Sequence, residues 1–244
     1  MLATKHNSLV SMTIASTILL LWFGTLYFCF QLDLNNLSPA LVIIAVCLRT
    51  FLHTGVFIII HESIHGVVST NYRINRLMGL IAAFLYAWLP YDTIAKNHRQ
   101  HHLHPATEQD PDFYSADPHN YWLWYASFMK DYQQGKQFWI LFWGMTVIFF
   151  SFIGLQIPVA NIFLFWVIPI ILSSLQLFTF GIYLPHRPPK KNSNELNSLR
   201  DRHRAKSNNH PVFLSFLTCY HFGYHWEHHE YPHLPWYELP LVRR

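Results

Sequence analysis

Four long apolar runs constrain the fold of this 244-residue chain more than any other feature of its sequence. A helix needs about 20 apolar residues to cross the hydrocarbon core of a bilayer, and each run reaches that length. Only 12% of the residues are charged, whereas an ordinary soluble domain carries about 25%. We therefore predict an all-α integral membrane protein, and we exclude disordered, collagenous and nucleic-acid-binding classes. The predicted transmembrane helices cover residues 8–30, 37–60, 138–157 and 161–184.

The distribution of cations predicts the orientation of these helices. Sixteen of the seventeen Lys and Arg residues lie near the N-terminus, between residues 61 and 137, or after Leu184. The two short hairpin connections, near Asp33 and near Pro158, contain none. Since cytoplasmic loops are enriched in Lys and Arg, both termini are predicted to be cytoplasmic. The remaining cation, Arg49, lies inside the second run, where a charge faces a partner or a cavity, or snorkels to the interface.

A fifth apolar segment, residues 77–90, is too short to cross the membrane as a straight helix. If it did cross, it would place His61 and His98 on opposite sides of the bilayer. We therefore predict a short interfacial or re-entrant helix that packs against the others. The polar stretch over residues 188–209 predicts a flexible loop. The chain contains no internal repeat, and we predict a single domain over residues 1–244.

The seventeen histidines outnumber the thirteen carboxylates and concentrate in three short segments. The first segment has the spacing HxxxH, which places two imidazoles on one face of a helix. The other two have the form HxxHH, in which three imidazoles lie within about 100° of one another around a helix. All three lie on the predicted cytoplasmic side, so they indicate a cytoplasmic histidine-rich helical cap that binds metal. The segments contribute His61 and His65; His98, His101 and His102; and His225, His228 and His229.

The number of clustered histidines indicates more than one metal ion. Eight imidazoles exceed the four ligands of a tetrahedral zinc site, and they are enough for two ions with open coordination positions. Neutral imidazole suits iron, zinc and copper. A site at the mouth of a membrane helix bundle is suited to an apolar substrate that arrives from the lipid. Because hydrolysis offers little to a hydrocarbon, the pattern favours oxygen activation by iron.

Two more histidines and three carboxylates are candidates for supporting roles. His221 precedes His225 by one helical turn and extends the same face. His186 emerges where the fourth helix meets the cytoplasm, and it is either a further ligand or an ordinary interfacial histidine. Metal-bound histidines normally donate their second N–H to a carboxylate or carbonyl. The candidate carboxylates, for which a solvated or capping role is the alternative, are Glu62, Asp110 and Asp112. His203 lies in a polar segment without ligand spacing and receives no role.

Several longer stretches surround the histidines, and together they resemble a known family. They are HESIHG at 61–66, LYAWLPYD at 85–92, the run at 98–113, LPHR at 184–187, DRH at 201–203 and the run at 220–236. In these stretches the chain is similar to the bacterial carotenoid ketolases, which belong to the membrane fatty-acid-desaturase-like superfamily of non-haem di-iron enzymes. The LPHR sequence and the pattern YHFG…EHH…PW are specific to the ketolases. One departure is Glu62, where the family usually has aspartate.

The resemblance implies an activity and a ligand set. It implies that the eight clustered histidines hold two Fe²⁺ ions, it adds His186 as a ligand, and it leaves His221 either a ligand or a neighbour of one. The implied reaction uses O2 to oxidise C4 of the β-ionone ring to a ketone, from β-carotene to echinenone and canthaxanthin. The chain lacks a Rossmann fingerprint, a P-loop and an iron–sulfur cysteine cluster, so electrons come from an external donor, by family analogy reduced ferredoxin. The basic tail from Arg187 to Lys206 either docks this donor or lies near anionic lipid.

Four alternatives remain open on sequence grounds. A carotenoid hydroxylase shares the same chemistry, and so does a fatty acid desaturase or hydroxylase. Acyl desaturases usually have four residues between the histidines of the first cluster, however, and this chain has three. The segment from His61 to His65 also reads HExxH, the signature of a zinc protease with Glu62 as general base, although this leaves both HxxHH clusters unexplained. A bis-histidine haem protein needs histidines paired within the bilayer, where only His53 lies.

Overall fold

The computed structural model describes residues 7–189 and 202–243, and within these two ranges the chain forms helices and no β-strand. The predicted loop over 188–209 falls mostly outside them, and so do Lys190 and Lys191 of the basic tail. The long or regular α-helices in these ranges are α1 (Ser8–Phe30), α2 (Pro39–Ile64), α3 (Tyr72–Ala87), α4 (Tyr91–Leu103), α5 (Tyr121–Tyr132), α6 (Lys136–Gly154), α7 (Val159–His186), α8 (Val212–Cys219) and α9 (His225–Glu230). Two short 3-10 helices, Leu34–Asn36 and Trp236–Val242, are also described.

Four of these helices, α1, α2, α6 and α7, are long and apolar enough to cross a membrane. This agrees with the predicted all-α membrane fold. The bounds differ most for α2, which begins one residue after the capping Ser38 and continues to Ile64, so that it carries His61 within its last turn. Helix α6 begins after Gly135, whose positive φ of 58° suits a residue without a side chain.

The predicted short helix is present, but it begins earlier and is followed by a sharp bend. Asn71 caps α3 by accepting hydrogen bonds from the backbone N–H groups of Arg73 and Ile74. The helix ends at Trp88, which adopts the left-handed conformation, and Pro90 then precedes α4. Helices α3 and α4 are bent by 104° relative to each other, and the count of apolar spans rises to five if the bent pair is taken as one.

Helix α2 lies at the centre of the bundle. It packs against α1, α3 and α7, and 56% of its most apolar 18-residue stretch is buried. Helix α6 is the opposite case, because only 6% of its most apolar 18-residue stretch is buried and Gly144 is its single buried residue. The core therefore sits around α2. Helix α6 packs on it only through half-buried residues such as Leu141 and Met145, and its opposite face is exposed.

Arg49 faces the core of the bundle and is fully buried. Its Nη1 donates to the carbonyl oxygen of Trp22 at 2.6 Å and to the hydroxyl of Thr25 at 2.8 Å. Its Nε donates to the carbonyl oxygen of Phe165 at 3.1 Å. This carbonyl needs a donor, because the residue four positions later is Pro169, which has no N–H. Arg49 thus occupies the partner-facing position that the sequence left as one option.

Helix α7 is irregular in two places. Residues Phe163–Val167 and Phe178–Tyr183 form wider π-helical turns. Each lies just before a proline, Pro169 or Pro185, whose ring would collide with the carbonyl four positions earlier in a regular helix. The second π-turn sets the direction of the last turn of α7, which ends at His186.

Candidate metal centre

Four segments bring their histidines to one end of the bundle. The last turn of α2 supplies His61, and His65 caps that helix. Helix α4 supplies three imidazoles and α9 supplies three more, while His186 comes from the end of α7. In two clusters, which we call group 1 and group 2, the ring nitrogens lie within 4.8 Å of one another. Group 1 contains His61, His65, His98 and His228, and group 2 contains His101, His186, His225 and His229.

Within each group the Nε2 atoms converge. In group 1, Nε2 of His65 lies 2.7 Å from Nε2 of His98, and Nε2 of His61 lies 3.1 Å from Nε2 of His228. In group 2, Nε2 of His229 lies 3.2 Å from that of His101 and 3.1 Å from that of His225. The same kind of nitrogen therefore points to a common point in both groups.

His102 lies between the two groups. Its Nε2 is 3.1 Å from Nε2 of His98 and 3.0 Å from Nε2 of His228, so it adjoins group 1. Its ring also stacks on His229 of group 2, with centroids 4.2 Å apart. The two groups are thus in contact through this imidazole, as expected for a centre with two neighbouring metal ions.

The donor set fits first-row metal ions. With metal–nitrogen bonds of about 2.1 Å, ligand nitrogens at 90° to 109° lie about 3.0 to 3.4 Å apart, close to the separations in both groups. Burial and neighbouring imidazoles lower the pKa of His98, His225 and His229 well below 6.5. These rings are therefore neutral, which is the form that binds metal.

The ring nitrogens that face away from the convergence points have few partners. Nδ1 of His101 lies 2.9 Å from Oδ2 of Asp110. Burial opposes protonation of His101, but the charge of Asp110, its hydrogen bond to the ring and the charge of Asp112 together raise the pKa of His101. Nδ1 of His186 donates to the carbonyl oxygen of Arg204 at 3.2 Å. His186 then directs Nε2, which is buried and has no hydrogen-bond partner among residues 7–189 and 202–243, toward group 2.

The other candidate carboxylates do not hold a ligand in the same way. Oε1 of Glu62 is 3.4 Å from Nδ1 of His61, without the geometry of a hydrogen bond. Oε2 of Glu62 accepts a hydrogen bond from the backbone N–H of Trp236. Glu62 lines a narrow crevice with Ser11 and Tyr237 on the far side of α2, which is not the position of a protease general base. Asp112 supports Asp110 by donating its backbone N–H to Oδ1 at 2.9 Å.

Two histidines lie where the sequence did not lead us to expect them. His221 belongs to neither group; its ring stacks on Tyr224, with centroids 5.4 Å apart, and lies near Trp236. Its role as a ligand remains a prediction without geometric support. His203 lies with its ring centroid 5.7 Å from that of His229, and its Nε2 contacts Oε2 of Glu230 at 2.8 Å. Only the family-like stretch DRH marked this position, because no helical spacing links it to the other histidines.

A cavity of about 580 Å³ opens beside both groups. His61 and His98 of group 1 and His101 and His225 of group 2 line one end of it. Its remaining walls are mostly apolar and come from α2, α3, α5, α6 and α7. Phe222 also lines the metal end, and its ring centroid lies 4.7 Å from that of His61 and 6.1 Å from that of His225. The arrangement can hold a long hydrocarbon with one end against the two histidine groups.

The comparison with known families follows this geometry. The sequence model of the family described as fatty acid desaturase matches residues 36–144 and 132–244. The chain belongs to the fatty acid desaturase family. Its matched region contains all of the clustered histidines. No solved structure matches the chain.

Several curated members of this family are similar to the chain over most of its length. The beta-carotene ketolase of Paracoccus sp. (strain PC1) is 35% identical over 99% of this chain and 95% of its own. The beta-carotene ketolase of Haematococcus lacustris is 41% identical over 80% of this chain and 59% of its own. The zeaxanthin 4-ketolase of Chlamydomonas reinhardtii is 36% identical over 92% of this chain and 49% of its own. The chain thus spans about half the length of the latter two proteins. The resemblance to carotenoid ketolases is confirmed.

Proposed function

We propose that this chain is a beta-carotene ketolase, which oxidises C4 of the β-ionone ring to a ketone and forms echinenone and then canthaxanthin. The observation that carries the proposal is the apolar cavity that ends at two adjoining groups of converging histidines. The names of the similar family members supply the substrate. A rigid hydrocarbon fits this apolar cavity. Helix α6 forms one wall of the cavity, and its outer face would contact the lipid.

We assign group 1 together with His102 to one iron ion and group 2 to a second. The two Fe²⁺ ions would supply the O2 activation that attack on an unactivated C–H bond requires. Asp110 and the carbonyl of Arg204 orient His101 and His186 for this role. His221 is retained as an untested candidate, and Glu62 and Asp112 as carboxylates that support the site from outside the ligand set.

The protein's own contribution is to position the ring and to exclude water. The Phe222 ring stands at the metal end of the cavity and limits how far a substrate ring advances. Two successive hydroxylations at C4 give a geminal diol, which loses water to leave the ketone. Each hydroxylation consumes one O2, two electrons and two protons. The external electron donor is proposed to be reduced ferredoxin.

The proposed topology places both termini and the metal centre on the cytoplasmic side of a single domain over residues 1–244. Helices α1, α2, α6 and α7 cross the membrane, and the bent pair α3–α4 re-enters it from the cytoplasmic side. The cation distribution supports this orientation. Arg202 and Arg204, which belong to the basic tail, lie beside the histidine-bearing end, where Arg204 contacts His186 through its carbonyl.

The test is a mass-resolved pigment profile of a host that accumulates β-carotene, with and without this chain. We expect new pigments in which one oxygen replaces two hydrogens, once or twice per molecule. The variant His229→Ala should abolish them, whereas His119→Ala, which removes an exposed histidine that belongs to neither group, should not. Products that carry only hydroxyl groups would assign the chain to the carotenoid hydroxylases. An unchanged profile, with expression and donor verified, would contradict the proposal.

A further inference from the structure

Gly181 leaves room for the ring of Phe222 at the wall of the cavity. It is buried in the second π-turn of α7 and lines the cavity. A Cβ added to Gly181 would lie 2.6 Å from both Cδ1 and Cε1 of Phe222, far closer than non-bonded carbons pack. The backbone itself does not require glycine, because the φ of Gly181 lies outside the left-handed region. The absence of a side chain therefore serves the close approach of the ring.

The backbone at Phe222 is fixed on both sides of the residue. The N–H of Phe222 donates to the carbonyl oxygen of Cys219 at 2.8 Å, and the N–H of Tyr224 donates to that of His221 at 2.8 Å. Tyr220 and His221 both adopt positive φ values, of 48° and 61°. Residues with a side chain seldom adopt this conformation, which persists only where the surroundings impose it. The Phe222 ring is therefore held against α7 and has little freedom to withdraw.

The other side of the Phe222 ring faces the metal centre. Its centroid lies 4.7 Å from that of His61 and 6.3 Å from that of His228, both in group 1. It lies 6.1 Å from the ring centroid of His225 in group 2. Packing alone would explain a buried aromatic ring, but this ring is also part of the cavity surface. A substrate ring that reaches the histidines must therefore also meet Phe222.

The shape of the β-ionone ring makes this contact consequential. The polyene chain is attached at C6, and C3 lies opposite C6 across the ring. When the ring enters the cavity first, C3 is the leading carbon and C4 lies beside it. The C4–H bonds are allylic and therefore weaker, whereas the position of C3 brings it forward. Selective oxidation of C4 is helped if the leading carbon is kept away from the oxidant.

We propose that Phe222 determines which ring carbon is oxidised, and that Gly181 is the positioning residue that gives Phe222 its place. The face of Phe222 receives the leading carbon C3 and stops the substrate ring. C4 then lies beside the histidine groups. This inference rests on the proposed ketolase function and adds to it the residue that selects the position of attack.

The test is the ratio of C3 to C4 oxidation products formed from β-carotene, in vesicles with the iron-loaded protein and a reduced donor. Hydroxylation at C3 consumes one O2, two electrons and two protons, and it releases one water, as the first step at C4 does. Because both products come from one enzyme and one substrate, differences in folding, iron content and electron supply cancel in the ratio. We expect Phe222→Leu, which shortens the stop, to raise the ratio about tenfold, since displacing a substrate by about 1 Å changes rates by up to a hundredfold.

Variants of two glycines test the role of Gly181. Gly181→Ala should push the Phe222 ring further into the cavity and slow C4 oxidation without raising the ratio. Adding Phe222→Leu should restore part of the rate, because the smaller side chain relieves the collision. Gly144→Ala is the matched control, since its Cβ would lie 2.8 Å from Cδ2 of Trp88 and neither residue lines the cavity. It should leave the ratio unchanged.

A second readout does not require turnover. β-Carotene deuterated at C3 or at C4 is bound to the reduced protein, and nitric oxide is added as a paramagnetic probe of the iron. The depth of the electron spin echo modulation falls steeply with the distance between the deuterium and the probe. We expect C4 deuterium to give the deeper modulation in the unmodified chain, and C3 deuterium to gain depth in Phe222→Leu. This measurement decides the question even where a variant forms no product.

The outcomes separate this inference from the proposed function. If Phe222→Leu changes neither the product ratio nor the deuterium modulation, the ring only packs and the inference is wrong, while the ketolase function stands. An equal rise of the ratio in Gly144→Ala would trace the change to a loosened bundle and would also contradict the inference. If the unmodified chain forms no ketone, the ketolase function fails, and the inference with it.

Discussion

At the scale of single residues, a histidine that binds metal through one ring nitrogen needs a hydrogen-bond partner for the other. His101 and His186 have theirs, in Asp110 and in the carbonyl of Arg204. Nδ1 of His61, His225 and His229 is buried without a hydrogen-bond partner in the described ranges. The orientation of the centre therefore depends unusually strongly on Asp110, which is the only carboxylate bonded to a group 2 histidine among the described residues.

We expect Asp110→Asn to weaken metal binding by group 2. Loss of the carboxylate that orients His101 should lower iron affinity about ten- to a hundredfold. Competition with a chromophoric chelator measures this directly, without any need for turnover. Asp117→Asn is the matched control, because Asp117 is exposed and its carboxylate bonds only the backbone N–H of His119. Equal affinities for the two variants would show that Asp110 does not orient the ligand.

At the scale of elements, the two prolines of α7, Pro169 and Pro185, interrupt its regular α-helical hydrogen bonding. Pro169 leaves the carbonyl of Phe165 without its helical donor, and Arg49 of α2 supplies one from the neighbouring helix. The same side chain bonds α1 through the carbonyl of Trp22. One buried guanidinium thus joins three of the four predicted spans, and the irregular backbone of α7 depends on it.

We expect Arg49→Met to lower the free energy of unfolding by about 2 to 4 kcal/mol, because it leaves buried carbonyls without donors. Pro169→Ala restores a backbone N–H opposite Phe165, so in the Arg49→Met background it should recover about 1 kcal/mol. Thermal unfolding in detergent, followed by circular dichroism, measures both effects. Arg73→Met, which removes an exposed cation from α3, should change little. Strictly additive effects of the two substitutions would contradict the shared hydrogen bond.

The sequence predicted those features that depend on the spacing of residues within one segment, namely the helices and the histidines that share a helix. Runs of apolar residues predict helices, and HxxHH places imidazoles on one helix face, so the clustered histidines of α4 and α9 lie on helices as expected. The division of the ligands into two groups depends on distances between segments, which spacing along one helix does not encode. For the same reason the proximity of His203 to His229 was missed. His221 illustrates the converse, since its helical spacing from His225 fails where the chain turns with a φ of +61°.

At the scale of the whole molecule, the four segments that carry groups 1 and 2 meet at one end of the bundle, and the proposed topology puts that end in the cytoplasm. Single-cysteine labelling tests this. We expect a membrane-impermeant maleimide to reach Asn35→Cys and Gln156→Cys, in the two hairpins, from outside intact spheroplasts. Glu108→Cys should react only in inverted vesicles. The native cysteines should give a low background, since Cys29 and Cys219 are buried and the proposed topology places the exposed Cys47, in the apolar helix α2, within the membrane. Labelling of all three positions from one side would contradict the topology.

The exposed face of α6 determines which substrate concentration sets the reaction rate of the enzyme. A pigment dissolved in the hydrocarbon phase lies only one helix diameter, about 10 Å, from the cavity that α6 walls. Its supply is then a mole fraction in a two-dimensional solvent, not a molarity in water. Saturation is reached by loading the membrane with pigment, and diluting the cells changes nothing. Adding unpigmented lipid to the same membranes, in contrast, lowers the mole fraction of pigment and should slow the reaction as much as removing substrate does.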